Sequence, residues 1–231
     1  MDLFDQQIIP VPLSAEAGKA EISFWPNWLS GTEADELLQT AIDKTPWRQD
    51  SIRIMGKIIP LPRLQNWFGD PQTSYTYSNI RLQAVSFPSW MERLRLSVEQ
   101  QTEQSFNRAL VNYYRHGRDS VDWHADDEAE LGPAPVIASL SLGAERVFQL
   151  RHNHSKERLS ISLPHGSLLL MGAGIQAHWQ HRIAKVAALQ EPRVNFTFRS
   201  LMYAWPRSRQ SLAPHREICR SLPPRSLCST V

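Results

Sequence analysis

The spacing of apolar positions changes near residue 106. Ahead of it they recur at three and four residues. Ala34, Leu37, Leu38, Ala41 and Ile42 form one helical stripe, and Trp90, Leu94 and Val98 form a second. Thr32 reads as the N-cap of the first helix, with Glu33, Asp35 and Glu36 in the first turn, where the helix dipole favours acids. That stripe runs to about Lys44, and Pro46 closes it; Pro88-Ser89 opens the second helix, which runs to about Ser105. Residues 1–20 read as an irregular arm, and 22–29 as an apolar stretch broken by Pro26. Residues 51–63 read as a hairpin around Met55-Gly56-Lys57, and the aromatic, turn-rich 66–79 as an ordered lid or loop.

Beyond residue 106 the period becomes two. Strands are predicted at 107–114, 136–142, 145–151, 158–163, 166–171 and 193–203, separated by Gly, Pro and Asn turns. Helices first and many short strands later predict an α+β chain whose β part is a sandwich or barrel. The expected organisation is an N-terminal segment 1–105 carrying the helices, hairpin and lid, a β core 106–206, and a tail 207–231 whose Arg, Ser and Pro content looks disordered.

Composition changes little in this picture. With 42% hydrophobic and 21% charged residues in 231, the chain reads as an ordinary globular protein. The net charge of +2 is unevenly placed. The tail holds five Arg against one Glu, a net +4, which leaves −2 for residues 1–206. The body is therefore no general polyanion binder, and any such surface must be local. The two cysteines, Cys219 and Cys228, both lie in the tail, so no disulfide framework is implied and a reducing cytosol fits. No signal peptide and no run of about 18 apolar residues is present, so no membrane association is expected.

Chemistry concentrates at three places. His124-Ala125-Asp126 follows a strand, and a His-x-Asp pair at a strand end can aim both side chains one way. His178 and His181 flank Trp179-Gln180 some 55 positions later, and spacing alone does not choose between them. Two histidines and one carboxylate suit non-haem iron(II) and leave coordination positions open, whereas the lack of nearby thiolates argues against a closed structural zinc site. The third place is Arg193-Val194-Asn195-Phe196-Thr197-Phe198-Arg199. Its alternation puts Arg193, Asn195, Thr197 and Arg199 on one face. Two buried arginines are costly unless an anion meets them, and a dicarboxylate matches guanidinium forks; an edge strand with a solvated polar face fits the same pattern. Asn112 and Tyr114 alternate on an earlier strand and could add hydrogen bonds.

Together these residues resemble the AlkB family of iron(II)/2-oxoglutarate-dependent nucleic-acid dealkylases, over about Gly56 to Arg199. The motifs that carry the resemblance are Asn112-Tyr113-Tyr114, the run His124 to Glu128, Gly166 to Met171, His178-Trp179-Gln180-His181 and Arg193 to Arg199. The resemblance implies a double-stranded β-helix (jelly-roll) core with N-terminal helices and a nucleotide-recognition hairpin and lid. It implies Fe(II) on His124, Asp126 and His181, with His178 in reserve. It implies 2-oxoglutarate and O2 as co-substrates, with Arg199 on the distal carboxylate and Arg193, Asn195, Asn112 and Tyr114 assisting. Members that repair duplex DNA are the most similar. In their pattern Met55 stands as a wedge, Tyr75, Tyr77 and Ser78 as a lid over a flipped base, and Glu128 beside its exocyclic group. Apart from that pattern, the basic residues Arg48, Arg53, Lys57, Arg63 and Arg81 near the lid could meet phosphates.

The implied reaction is repair of 1-methyladenine and 3-methylcytosine, with release of formaldehyde, succinate and CO2. The implied partner is alkylated DNA, duplex or single-stranded, met by a monomer in the cytoplasm, nucleoid or nucleus. Three alternatives remain at this point: the same chemistry on methylated RNA, protein or a small molecule; a catalytically silent jelly-roll; and a zinc hydrolase with Glu128 as base.

Overall fold

The computed structural model describes residues 6–11, 20–54, 56–69, 74–77 and 80–202, with backbone alone at 54, 74–77 and 80–83. It is an α+β double-stranded β-helix, two antiparallel sheets face to face with two helices packed outside the larger one.

The larger sheet has seven strands. They are β1 (Gln7–Pro10), β2 (Glu21–Trp25), β5 (Leu64–Gly69), β8 (Arg108–Tyr114), β10 (Ile137–Gly143), β13 (Ser167–Met171) and β15 (Arg193–Arg199), in the order β1-β2-β13-β10-β15-β8-β5. The smaller sheet joins β9 (Val121–His124), β11 (Arg146–His152), β12 (Arg158–Leu163) and β14 (Trp179–Ile183) in the order β12-β11-β14-β9. Two hairpins stand apart: β3 (Ser51–Ile54) with β4 (Lys57–Pro60), and β6 (Ser74–Tyr77) with β7 (Ile80–Gln83).

Helices α1 (Gly31–Lys44) and α2 (Ser89–Thr102) set their apolar stripes on the back of the large sheet. There Ala34, Ala41, Met91, Leu94 and Val98 meet Leu140, Leu168, Val194, Phe196 and Phe198 in one buried cluster. A second cluster fills the space between the sheets, with Ile22, Phe24, Phe148, Leu150, Ile161, Leu169 and Trp179 among its members. β15 runs between both layers. All seven of its residues are buried, so its alternation sends Val194, Phe196 and Phe198 to the helix side and the polar set to the inter-sheet side.

Several sequence expectations shift. The N-cap of α1 is Ser30, not Thr32. The Ser30 hydroxyl accepts from the Glu33 N–H, and the Glu33 carboxylate accepts from the Ser30 N–H, which satisfies two otherwise orphaned donors at once. Helix α2 stops at Thr102 because Glu103 turns left-handed at φ 54°. Residues 64–69, assigned largely to a lid, form β5 against β8, with Trp67 and Phe68 both buried. Residues 7–10 and 21–25 are strands β1 and β2, so three strands from ahead of residue 106 hydrogen-bond into the large sheet. The strands carrying the histidines, β9 and β14, were not anticipated. Met55, Ser78 and the 207–231 tail lie outside the described residues, as do the side chains of Tyr75 and Tyr77. No helix among the described residues is long and apolar enough to cross a membrane.

Candidate active site

A cavity lies between the sheets. The large sheet supplies Leu110, Asn112 and Tyr114 from β8, Ser139 from β10, and Arg193, Asn195, Thr197 and Arg199 from β15. The small sheet supplies Val121 and His124 from β9, Phe148 from β11, and His181 and Ile183 from β14. An open groove shares Arg63, Val121, His124 and Ile183 with this cavity. It runs outward past Ile52, Asp122, Trp123, Arg182 and Lys185.

His124, Asp126 and His181 converge at one end. One ligand atom from each lies within 4.8 Å of the others, a set that could hold a metal ion. His178 is elsewhere, its ring 6.4 Å from that of His152. The choice between the two histidines follows from strand phase: Trp179, His181 and Ile183 alternate inward along β14.

His124 reaches the site by a β-bulge. The β9–β14 register pairs His181 with His124 and Ile183 with Val121, so Asp122 and Trp123 together oppose the single Arg182. Positions three apart on an unbroken strand face opposite ways, yet Val121 and His124 both line the cavity because the bulge adds a residue. His124 Nδ1 is 2.8 Å from the Asp122 carbonyl. A carbonyl only accepts, so Nδ1 carries the proton and Nε2 keeps its lone pair for a cation.

Asp126 is buried, its N–H held by the Gln176 side chain at 3.0 Å and its Oδ1 by Arg199 Nη2 at 2.8 Å. Burial opposes its ionisation, but the Arg199 guanidinium, the largest of the lowering influences, leaves the carboxyl below its usual range. Burial, then the neighbouring His124, pushes His181 down to about 3, and burial also lowers His124. At neutral pH the cluster therefore presents two neutral imidazoles and a carboxylate, the protonation state that metal ligation requires.

Arg199 sits at the metal end, bound to Asp126. The expectation placed Arg199 on the distal carboxylate of a dicarboxylate; here its Nη2 is engaged by Asp126, and it lines the cavity beside the cluster. Its position on β15 opposite Arg108 brings it level with Asp126, while Arg193 lies six residues away opposite Tyr114. Arg193 is only 1% exposed. It donates through Nη2 to Ser141 Oγ at 2.9 Å and lies 5.2 Å from the Tyr114 ring centroid. Its Nε and Nη1 have no hydrogen-bond partner, and no acidic side chain among the described residues pairs with it. Unmatched, buried N–H groups on a cation match a carboxylate, so these residues fit a dicarboxylate spanning from the metal to Arg193. Asn195 donates to Ser139 Oγ and Leu140 O and accepts from Thr197, which stiffens the floor between the two ends. Asn112 accepts from Arg63 Nε at 2.9 Å, tying the buried Arg63 to the junction of cavity and groove.

Glu128 is not among the residues that line this cavity. It is half-buried at the N-cap of a short 3-10 turn, Ala129–Leu131, and lines neither cavity nor groove. Ser139 and Ser141 were missed, although Ile137-Ala138-Ser139-Leu140-Ser141 shows the polar alternation that could have found them. Gln176 and the Asp122 carbonyl carry no sequence signal, because their roles come from folded proximity.

Residues 21–199 match a family model described as the 2OG-Fe(II) oxygenase superfamily. The alpha-ketoglutarate-dependent dioxygenase alkB homolog 3 of Mus musculus is 40% identical, spanning 80% of this chain and 67% of its own length. The DNA oxidative demethylase ALKBH2 of Homo sapiens is 35% identical, spanning 74% of this chain and 69% of its own. Among solved structures, that of OsALKBH1 shares the fold with a TM-score of 0.55 at 17% identity, covering 78% of this chain and 96% of that one.

Proposed function

Because the chain belongs to the 2OG-Fe(II) oxygenase superfamily, in its AlkB branch, we propose that it oxidatively demethylates N-alkylated bases in nucleic acid, 1-methyladenine and 3-methylcytosine in DNA first among them. The observation that carries the reading is one cavity holding a His-Asp-His cluster at one end and a buried, carboxylate-seeking Arg193 at the other. The relatives named above as a dioxygenase and a DNA oxidative demethylase support the substrate class.

In this reading His124 Nε2, Asp126 and His181 hold Fe(II). When bound, iron with 2-oxoglutarate and O2 supplies an oxidation in which one oxygen atom enters the N-methyl group and the other enters succinate, with loss of CO2. The hydroxymethyl group then leaves its nitrogen as formaldehyde.

The chain's own residues do the rest by placement. Arg199 holds Asp126 ionised and oriented. Arg193, Tyr114 and Ser141 take the distal carboxylate of 2-oxoglutarate. Leu110, Val121, Phe148 and Ile183 line the cavity with apolar surface that limits water. The groove at His124 admits the substrate, with Arg63 at its inner end. A base must leave its stack to enter, and lesions that already weaken pairing lower that cost.

The test is formaldehyde release from 1-methyladenine in duplex DNA, single-stranded DNA and RNA, with and without 2-oxoglutarate. Release that needs 2-oxoglutarate and is abolished in His124→Ala is expected. Failure of every methylated nucleic acid to yield formaldehyde overturns the substrate class.

A further inference from the structure

β9 carries His124 at the edge of the four-stranded sheet, and the bulge interrupts its ladder with β14. A strand so short and so loosely paired has little backbone hydrogen bonding to hold a metal ligand in place. The side-chain layer on the outer face supplies what the ladder lacks.

Trp123, the residue before His124, meets two guanidinium groups. Arg151 and Arg182 each stand 4.4 Å from the centroid of its ring. They come from adjacent rows of the sheet, since Arg151 pairs with Gln180 and Gln149 pairs with Arg182. The indole therefore slots between the two rows. Each guanidinium is itself tied across strands, Arg151 Nη2 to Gln180 Oε1 at 2.8 Å and Arg182 Nε to Gln149 Oε1 at 2.7 Å. Four side chains of β11 and β14 thus form a fixed slot, and the indole of β9 is the key in it.

Trp123 lies between the two groups that define the His124 ring. On one side is His124; on the other is Asp122, whose carbonyl accepts from His124 Nδ1 and whose carboxylate accepts from the Trp123 N–H at 2.8 Å. We propose that Trp123, clamped by Arg151 and Arg182, is the positioning residue that holds the bulge of β9 and so aims His124 at the metal. The proposal rests on the metal reading of His124, Asp126 and His181.

The test uses the full chain and Co(II), whose visible absorption bands report ligand geometry directly, without turnover. Trp123→Ala is expected to weaken Co(II) binding about 10- to 100-fold, the range for residues that orient a metal ligand, and to change the band pattern. Trp123→Phe, which keeps a ring face, should recover most of both. Parent affinity and spectrum in Trp123→Ala overturn the clamp. If Trp123→Ala does not fold, Arg151→Gln with Arg182→Gln decides, since the indole stays but its clamp is gone. A weakened, altered Co(II) site supports the proposal and an unchanged one overturns it. His124→Ala separates the two levels. Unchanged Co(II) binding there sinks the metal assignment and the clamp with it. Loss of binding there beside an unaffected Trp123→Ala overturns the clamp alone.

Discussion

Replacing Arg193 by Met should raise the stability of the ligand-free protein while destroying its affinity for 2-oxoglutarate. Burial pushes this guanidinium down from its ordinary 12.5 to about 10. At about 1.4 kcal/mol per tenfold, that depression corresponds to roughly 3 kcal/mol of unfavourable charge burial. Methionine removes that cost and fills similar volume. It also removes the hydrogen bond to Ser141 and the contact with Tyr114, together worth roughly 2 kcal/mol. The net gain is about 1 kcal/mol, a rise in melting temperature of about 2–4 °C for a chain of this size.

The effect on the co-substrate has the opposite sign. Removing one partner of a buried charge pair costs about 2–5 kcal/mol, so 2-oxoglutarate should bind roughly 30- to 4,000-fold more weakly. Thermal denaturation with and without 2-oxoglutarate reads both effects. At a hundred times its dissociation constant the ligand stabilises the parent by about 2.7 kcal/mol, and Arg193→Met at that concentration should show at most about a third of that shift. A variant that keeps the parent's ligand shift would refute the carboxylate assignment. A ligand-free variant that melts several degrees lower would refute the argument from buried charge.

Arg199→Met should behave in the opposite way when ligand-free, because it strands the buried Asp126 carboxylate. A loss of about 3–5 kcal/mol in urea unfolding is expected, together with weaker metal binding; a parent-like midpoint would contradict the ion pair. Ser30→Ala removes the capping box of α1 and should cost about 1 kcal/mol, checked by thermal melting, with activity at low temperature unchanged. The pH dependence has a definite sign. His181 is depressed to about 3, so the unfolded chain binds more protons than the folded one between pH 6.5 and 3. Stability is full above pH 6.5 and falls as pH drops, by roughly 2 kcal/mol at pH 5 from this group. Urea midpoints of the metal-free protein at pH 7 and 5 should therefore separate more for the parent than for His181→Gln, and equal separations would remove His181 as the cause.

Much of this molecule was legible along the chain. The period-three and period-two stretches located both helices and most core strands, because burial on one face writes its spacing into the sequence. The alternation of β15 showed which residues share a face, but not whether the arginine face points inward or to solvent, which the burial of the whole strand decides. His124 and Asp126 stood out by type and spacing. Strands β9 and β14 did not, because a cavity-facing strand carries His, Arg and Gln where the rule seeks apolar residues.

Spacing could not choose between His178 and His181; the family resemblance favoured His181, and the tertiary structure supplies the physical reason, strand phase along β14. It gave the two arginines different surroundings. Arg193 and Arg199 are equivalent as letters on one strand, and what separates them is what lies across the cavity: Asp126 for one, Tyr114 and Ser141 for the other. It also exposed the bulge that turns His124 inward and the Arg151–Trp123–Arg182 stack behind it. Those contacts join residues tens of positions apart, and pattern within a strand reports only which face is buried, never what the other sheet brings to meet it.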